Sequence, residues 1–233
     1  VTHYDLDISL DSESNPLAIE AQLTVHNPHS SPIDTLLFSL NSGLTVTNAI
    51  WAGRAVPLIH DSHLIRLALP TPLGVGKTDS LKLSYTGDID GQYFTLERLD
   101  EAEGLIPKSG DGPWTKDNIS AWADERIAVL PAQSGWYPVP GVASGYAYDS
   151  PKPANFSTAT IRVETPSDVY AIAQGARVSE SSEGGRRTTH FNAETPVPAL
   201  SLNAGPYERL SRKFSQTEVE LYFYSGHLMG YEA

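Results

Sequence analysis

The stretch Tyr4-Asp5-Leu6-Asp7-Ile8-Ser9-Leu10 decides the fold class. Tyr4, Leu6, Ile8 and Leu10 alternate with polar residues. Successive side chains of a strand point to opposite faces, so this period of two fits a strand with one face in a core and the other in water. After a turn-rich break at 11–16 the period returns: Leu17, Ile19, Ala21, Leu23 and Val25 alternate with Glu20, Gln22, Thr24 and His26. The two runs read as an antiparallel hairpin.

The same pattern continues along the chain. Asn27-Pro28 and Ser31-Pro32 punctuate it, and strands are predicted at Leu36 to Leu40, Leu44 to Trp51, Leu64 to Leu69 and Leu81 to Tyr85. A second group is predicted at Ala159 to Val163, Val169 to Ala173, Arg186 to Phe191 and Leu200 to Leu202. Gly184-Gly185 supplies the permissive backbone of a tight hairpin turn, and Gly74 to Thr78 reads as another hairpin turn. The last strand is predicted to set Val219, Leu221 and Phe223 inward against outward Glu218, Glu220 and Tyr222. No long segment has a helical period. The exception in texture is about 97–127, rich in Gly, Asp, Pro and Lys, which reads as an irregular excursion with a short helix from Lys116 to Arg126. The predicted fold class is therefore all-β, a large antiparallel sheet or β-sandwich with little helix, forming one domain over residues 1–233.

Composition excludes several classes of function. With 16 basic and 28 acidic residues the net charge is −12, which repels phosphate backbones, so nucleic acid is not an expected partner. There is no cysteine, and hence no disulfide, thiolate nucleophile or Cys-type zinc site; this leaves the compartment open. No run approaches the roughly 18 apolar residues of a membrane helix, so this segment is not expected to insert. A start at Val1, within a strand-like pattern and without Met, is what a segment of a longer protein would show.

The chemistry-bearing residues form no catalytic pattern. A helical zinc site uses H-E-x-x-H, and none of His3, His26, His29, His60, His63, His190 and His227 is followed by Glu. His60 and His63 lie close together, but two imidazoles do not complete a zinc shell, and they read as polar turn residues. G-x-S-x-G is absent. Gly74-Val75-Gly76-Lys77-Thr78 lacks the first glycine of a phosphate loop, since Thr71 holds that position, and it precedes a strand. Asp5 with Asp7 is the solvated face of a strand, Asp88 with Asp90 caps its own turn, and Asp100 with Glu101 lies in a polar loop. Asn118 and Asn155 begin matches to the glycosylation acceptor pattern, which occurs often by chance. No catalytic residue and no metal ligand is assigned in this chain.

One cluster stands apart: Leu130-Pro131-Ala132-Gln133-Ser134-Gly135-Trp136-Tyr137-Pro138-Val139. It follows Leu73, Gly74, Gly76 and Thr78, then Leu81, Leu83, Tyr85 and Gly87. It precedes Ile161, Val163 and Pro166, Ala173 and Gly175, and Leu202, Ala204, Gly205 and Tyr207. In this order the set resembles the N-terminal domain of M1 family zinc metallopeptidases. The likeness runs from about Tyr4 to Tyr224 and is greatest to bacterial members joined to ABC-transporter-type membrane segments.

The resemblance implies a saddle-shaped β domain beside a thermolysin-like catalytic domain. In the family, zinc is held by H-E-x-x-H and a later Glu, and a G-x-M-E-N loop holds the peptide amine. Neither motif occurs here, as the single Met229 is followed by Gly230. The resemblance thus places zinc and catalysis in a following domain of the parent, with no cofactor in this segment. It also implies that the parent, though not this segment, is a membrane protein. A Gln or Glu of the N-terminal domain reaches the substrate amine in that family, and the matching position is Gln133, whose amide oxygen would accept from an ammonium. Trp136 and Tyr137 read as packing residues.

The implied function is a non-catalytic wall of an aminopeptidase cleft that helps position a peptide N-terminus. The alternative is a stand-alone β-sandwich module for carbohydrate or protein, with Trp51, Trp114 and Trp122 as its platform. A third possibility is a purely structural interaction domain, recognisable by self-association.

Overall fold

The computed structural model describes residues 1–10, 17–90, 121–124, 126–141 and 156–224. In chain order the strands are β1 (His3–Leu10), β2 (Leu17–His26), β3 (Ile33–Ser39), β4 (Leu44–Trp51), β5 (Arg54–Ala55) and β6 (Leu58–Asp61). Next come β7 (Leu64–Leu73), β8 (Thr78–Gly87), β9 (Trp122–Ala123), β10 (Ala128–Leu130), β11 (Val139–Pro140) and β12 (Ser157–Pro166). The last are β13 (Tyr170–Ala173), β14 (Ala176–Glu183), β15 (Arg186–Val197), β16 (Leu202–Gly205), β17 (Tyr207–Phe214) and β18 (Thr217–Tyr224). The chain is nearly all β, and antiparallel pairing dominates it.

An eight-stranded sheet in the order β14-β15-β12-β1-β2-β8-β4-β5 is the backbone of the fold. Two four-stranded sheets, β13-β16-β10-β9 and β11-β3-β7-β6, and the ribbon β17-β18 complete it. Tyr4, Leu6, Ile8 and Leu10 on β1 are buried, as are Leu17, Ile19, Ala21, Leu23 and Val25 on β2, while Asp5 and Asp7 are exposed. These residues join Phe38, Leu67, Leu130 and Leu202 from the smaller sheets in one apolar core. Each fully buried aliphatic side chain contributes about 1.5–3 kcal/mol.

The predicted β1–β2 hairpin forms, with Tyr4 opposite Leu23 and Leu6 opposite Ala21. The turn between β14 and β15 is Gly184-Gly185, both with positive φ (58° and 79°), the backbone that a two-residue hairpin turn demands. The structure corrects four expectations. β1 pairs with β12 in parallel, so the main sheet is mixed. Gly74–Lys77 is a turn, but β7 and β8 lie in different sheets, so it carries the chain between layers and makes no hairpin. It is held by the fully buried Asn27, which exchanges backbone hydrogen bonds with Lys77 and Gly76 and donates its amide to the carbonyl of Leu73. The predicted helix fails over its described part, where Trp122–Ala123 is a strand and Asp124 Oδ1 accepts from the amides of Arg126 and Ile127; residues 116–120 lie outside the described residues. On β18, finally, Val219 and Leu221 are about half exposed, whereas Glu220 and Tyr222 face the more buried side.

The solvent face of the main sheet carries cross-strand ion pairs, Lys82–Glu20 at 2.6 Å, Arg162–Asp7 at 2.6 Å and Arg186–Glu164 at 3.1 Å, and one pair along β12, Arg162–Glu164 at 3.0 Å. Partial burial acts to raise the Glu164 pKa, but hydrogen bonds from Arg186 and Arg162 outweigh it and leave it below its ordinary 4.5. A depressed folded pKa gives stability that is present above the unfolded value and lost as the pH falls through the folded one. Glu164→Gln is therefore expected to cost under about 1 kcal/mol at neutral pH. Thermal unfolding midpoints of the two proteins should converge as the pH falls below 4.5. A gap that persists at low pH would contradict the assignment.

Candidate functional site

The Leu130–Val139 stretch crosses the core from one small sheet to the other. β10 pairs with β16, Leu130 opposite Leu202, and β11 pairs with β3, Val139 opposite Ser39. Between them Pro131 turns the chain (φ −65°, ψ 157°) into a single 3-10 turn, Ala132–Ser134, which Gly135 ends in the left-handed region at φ 64°. That backbone favours glycine. The Ser134 amide and hydroxyl both donate to the Pro131 carbonyl, at 2.9 and 2.8 Å.

Asn41, fully buried just after β3, fixes this turn. Its amide nitrogen donates to the carbonyls of Ser134 (2.8 Å) and Asp90 (3.2 Å), and its side-chain oxygen accepts from the amides of Gly43 (2.9 Å) and Asp90 (2.8 Å). Its backbone amide donates to the Gly135 carbonyl at 2.8 Å. Sequence reading passed over this residue; its signal was the turn-type run Asn41-Ser42-Gly43 at a strand end.

Beyond the turn, Trp136, Tyr137 and Pro138 are buried. Trp136 Nε1 donates to the Leu200 carbonyl (3.3 Å), and Tyr137 Oη accepts from the Leu200 amide (3.1 Å). From the main sheet, Tyr4 donates to the Pro138 carbonyl (3.0 Å) and Tyr85 to the Trp136 carbonyl (3.3 Å). Tyr137 meets Tyr4 and Trp136 edge-on, with ring centroids 5.4 and 5.0 Å away. Burial pushes all three phenols up, Tyr4 and Tyr85 well up, while the Leu200 amide pulls Tyr137 partly back. They are neutral donors, acceptors and packing surfaces, not acid–base groups. The packing role predicted for Trp136 and Tyr137 is observed.

Gln133 is the middle residue of the 3-10 turn, so its backbone is held from both sides; the direction of its side chain lies outside what the structure describes. The other candidates do not converge on it. His60 and His63 lie at the β6–β7 hairpin, where burial lowers the His60 pKa against the hydrogen bond it donates to the Ser62 backbone and the charge of Asp61. Among the described residues no group of three His, Asp or Glu could hold a metal ion. Asp88 accepts from the adjacent Ile89 amide (3.2 Å), a local turn role, whereas Asp90 accepts from the Ser42 hydroxyl (2.8 Å) and ties its segment to the one after β3. Of the platform aromatics, Trp51 is 4% exposed and belongs to the core, and Trp122 is 42% exposed. Trp114, Asp100, Glu101, Asn118 and Asn155 lie outside the described residues.

Neither a family model nor a curated protein matches the sequence. Solved structures do resemble the fold. The M1 zinc metallopeptidase from Deinococcus radiodurans is 23% identical with a TM-score of 0.64, the match covering 94% of this chain and 46% of that one. A two-domain M1 zinc metallopeptidase mutant bound to L-arginine gives 24% identity, a TM-score of 0.64 and the same coverage. Legionella pneumophila aminopeptidase A, in complex with aspartic acid, gives 15% identity and a TM-score of 0.67, covering 95% of this chain and 24% of that one. At these identities the likeness is one of fold. This chain spans less than half the length of each.

Proposed function

We propose that this chain is the non-catalytic N-terminal domain of an M1-type zinc aminopeptidase, walling the substrate cleft and presenting Gln133 to the peptide's free amine. The observation that supports it most is the match of 94% of this chain to 46% of a zinc metallopeptidase chain. The pinned 3-10 turn adds a physical reason. A residue that orients a substrate must not itself move; the Asn41 network holds the backbone just after position 133, and the Ser134 hydrogen bonds to the Pro131 carbonyl close the turn around it.

Zinc does not fit the described residues, since His60 and His63 have no third ligand beside them. In this reading the metal and the bond cleavage belong to the following domain of the parent. This chain's contribution is an uncharged amide oxygen accepting from an ammonium, a charge-assisted hydrogen bond of about 1.5–3 kcal/mol. No helix among the described residues is long and apolar enough to cross a membrane. Attachment of the parent to transporter-type membrane segments is part of the proposal, tested by whether its activity sediments with membranes.

The parent is expected to release N-terminal amino acids in a chelator-sensitive manner, and residues 1–233 alone to release none. Gln133→Ala in the parent should lower kcat/KM by roughly 10- to 100-fold, mostly through KM, with Gln133→Glu retaining more than Gln133→Ala. Chelator-blocked peptidase activity in a pure preparation of residues 1–233 would sink the reading.

A further inference from the structure

β6 is four residues long and closes the sheet β11-β3-β7-β6, so β7 is its one hydrogen-bonded neighbour among the described residues. Its side chains alternate. Ile59 and Asp61 are exposed, while Leu58 and His60 turn toward the core, His60 opposite the fully buried Ile65. The turn to β7 holds Ser62 at φ 54°, a left-handed backbone that favours glycine, so the end of this hairpin is strained. The strand before it, β5, is itself held to β4 through two residues.

One ring nitrogen of His60 donates to the Ser62 backbone; the other, Nε2, is buried and has no hydrogen-bond partner among the described residues. A neutral ring tolerates this, since an unpaired lone pair costs far less than an unpaired charge. Protonation would put a second N–H and a positive charge where no acceptor reaches. The elements packed around it supply no inward counter-ion. β4 has no titratable residue, Arg66 of β7 lies opposite Ile59 on the outer face, and Arg54 of β5 is exposed. Asp61 is exposed on the outer side and its charge offsets burial only in part, and His63 follows in the turn.

We propose that β6 is an acid-released edge strand: on taking up a proton His60 leaves its buried site, β6 separates from β7, and the backbone of Leu64 to Leu67 becomes a free sheet edge. The direction follows from linkage. Burial holds the folded ring below its ordinary 6.5, so the opened hairpin binds the proton first. Attachment of β6 is therefore complete above about 6.5 and weakens as the pH falls below it, until the folded ring titrates as well. A free edge pairs with extended chain, and opened backbone is open to proteases, so acid is the condition under which this end of the fold associates or is cut. The inference is independent of the aminopeptidase reading.

Hydrogen–deuterium exchange of the full-length parent, corrected for the intrinsic pH dependence of exchange, tests it. Between about pH 7.5 and about pH 5.5 the opening of 58–67 should rise roughly three- to tenfold, tenfold being the limit for one proton on an ordinary imidazole, while β1 and β2 stay protected. His60→Leu should abolish the rise, and His63→Gln should leave it in place. Opening of 58–67 that does not change with pH in the unsubstituted protein would overturn the proposal whatever the variants do. So would a rise that persists in His60→Leu, one that vanishes in His63→Gln, or an equal loss of protection over β1 and β2, which marks general acid unfolding.

Discussion

Replacing Trp136 with alanine is expected to lower the free energy of unfolding by about 3–5 kcal/mol. The side chain is 0% exposed, packs edge-on against Tyr137 at 5.0 Å and donates to the Leu200 carbonyl. Truncation would open a cavity where the two small sheets meet the main one and leave a buried carbonyl without its donor. Trp136→Phe should cost distinctly less, because it fills part of the space. Urea denaturation followed by circular dichroism measures both. A loss under about 1 kcal/mol for alanine would mean that the crossing stretch is not part of the core.

Asn41→Asp is expected to be comparably damaging, by about 3–5 kcal/mol near neutral pH, although it is almost isosteric. Its amide nitrogen faces two carbonyl oxygens, those of Ser134 and Asp90, in a fully buried site. One carboxylate oxygen would keep the Gly43 and Asp90 amides, but the other would be a charged acceptor facing two carbonyl oxygens with no cation beside it. Burial without a cation raises the folded pKa of such an aspartate above its unfolded value of about 3.9, so the penalty is full above the folded pKa and fades as the pH falls through it. Once protonated, the carboxyl can donate to one of the carbonyls. The stability gap between Asn41→Asp and the parent sequence should therefore narrow on acidification, measured as the difference in urea midpoints at about pH 7 and about pH 5. A gap independent of pH would argue that the lost contact lies elsewhere.

Much of the fold was legible because alternation reports burial directly. The runs Tyr4 to Leu10 and Leu17 to Val25 have one apolar and one polar set, and burial leaves no ambiguity about which turns inward. Position 219 to 223 shows where this fails. β18 has apolar residues in one set and Glu220 and Tyr222 in the other, but Arg177, Arg209 and Tyr170 offer the second set a partly buried ionic and aromatic partner surface, and the ribbon turns that way. Alternation separates two sets without saying which one finds partners. The parallel β1–β12 pair was equally invisible, because pairing direction leaves no mark on a period of two.

At the candidate site the aromatic pair Trp136 and Tyr137 was read as packing, as it is, whereas the 3-10 turn before it was not anticipated. Asn41 escaped because its partners are backbone atoms about 50 and 90 residues away, chosen by geometry and not by residue type.

The parallel pairing of β1 with β12 also sets a clock for synthesis. Every partner of β1 in β12 lies 155 residues downstream, as the Asp7–Arg162 contact shows. At translation speeds of about 5–20 residues per second, roughly 8–30 s separate the emergence of the two strands. Throughout that interval one flank of the first hairpin offers unsatisfied amides and carbonyls to any extended segment it meets. That flank of β1 is covered only once β12 has been made.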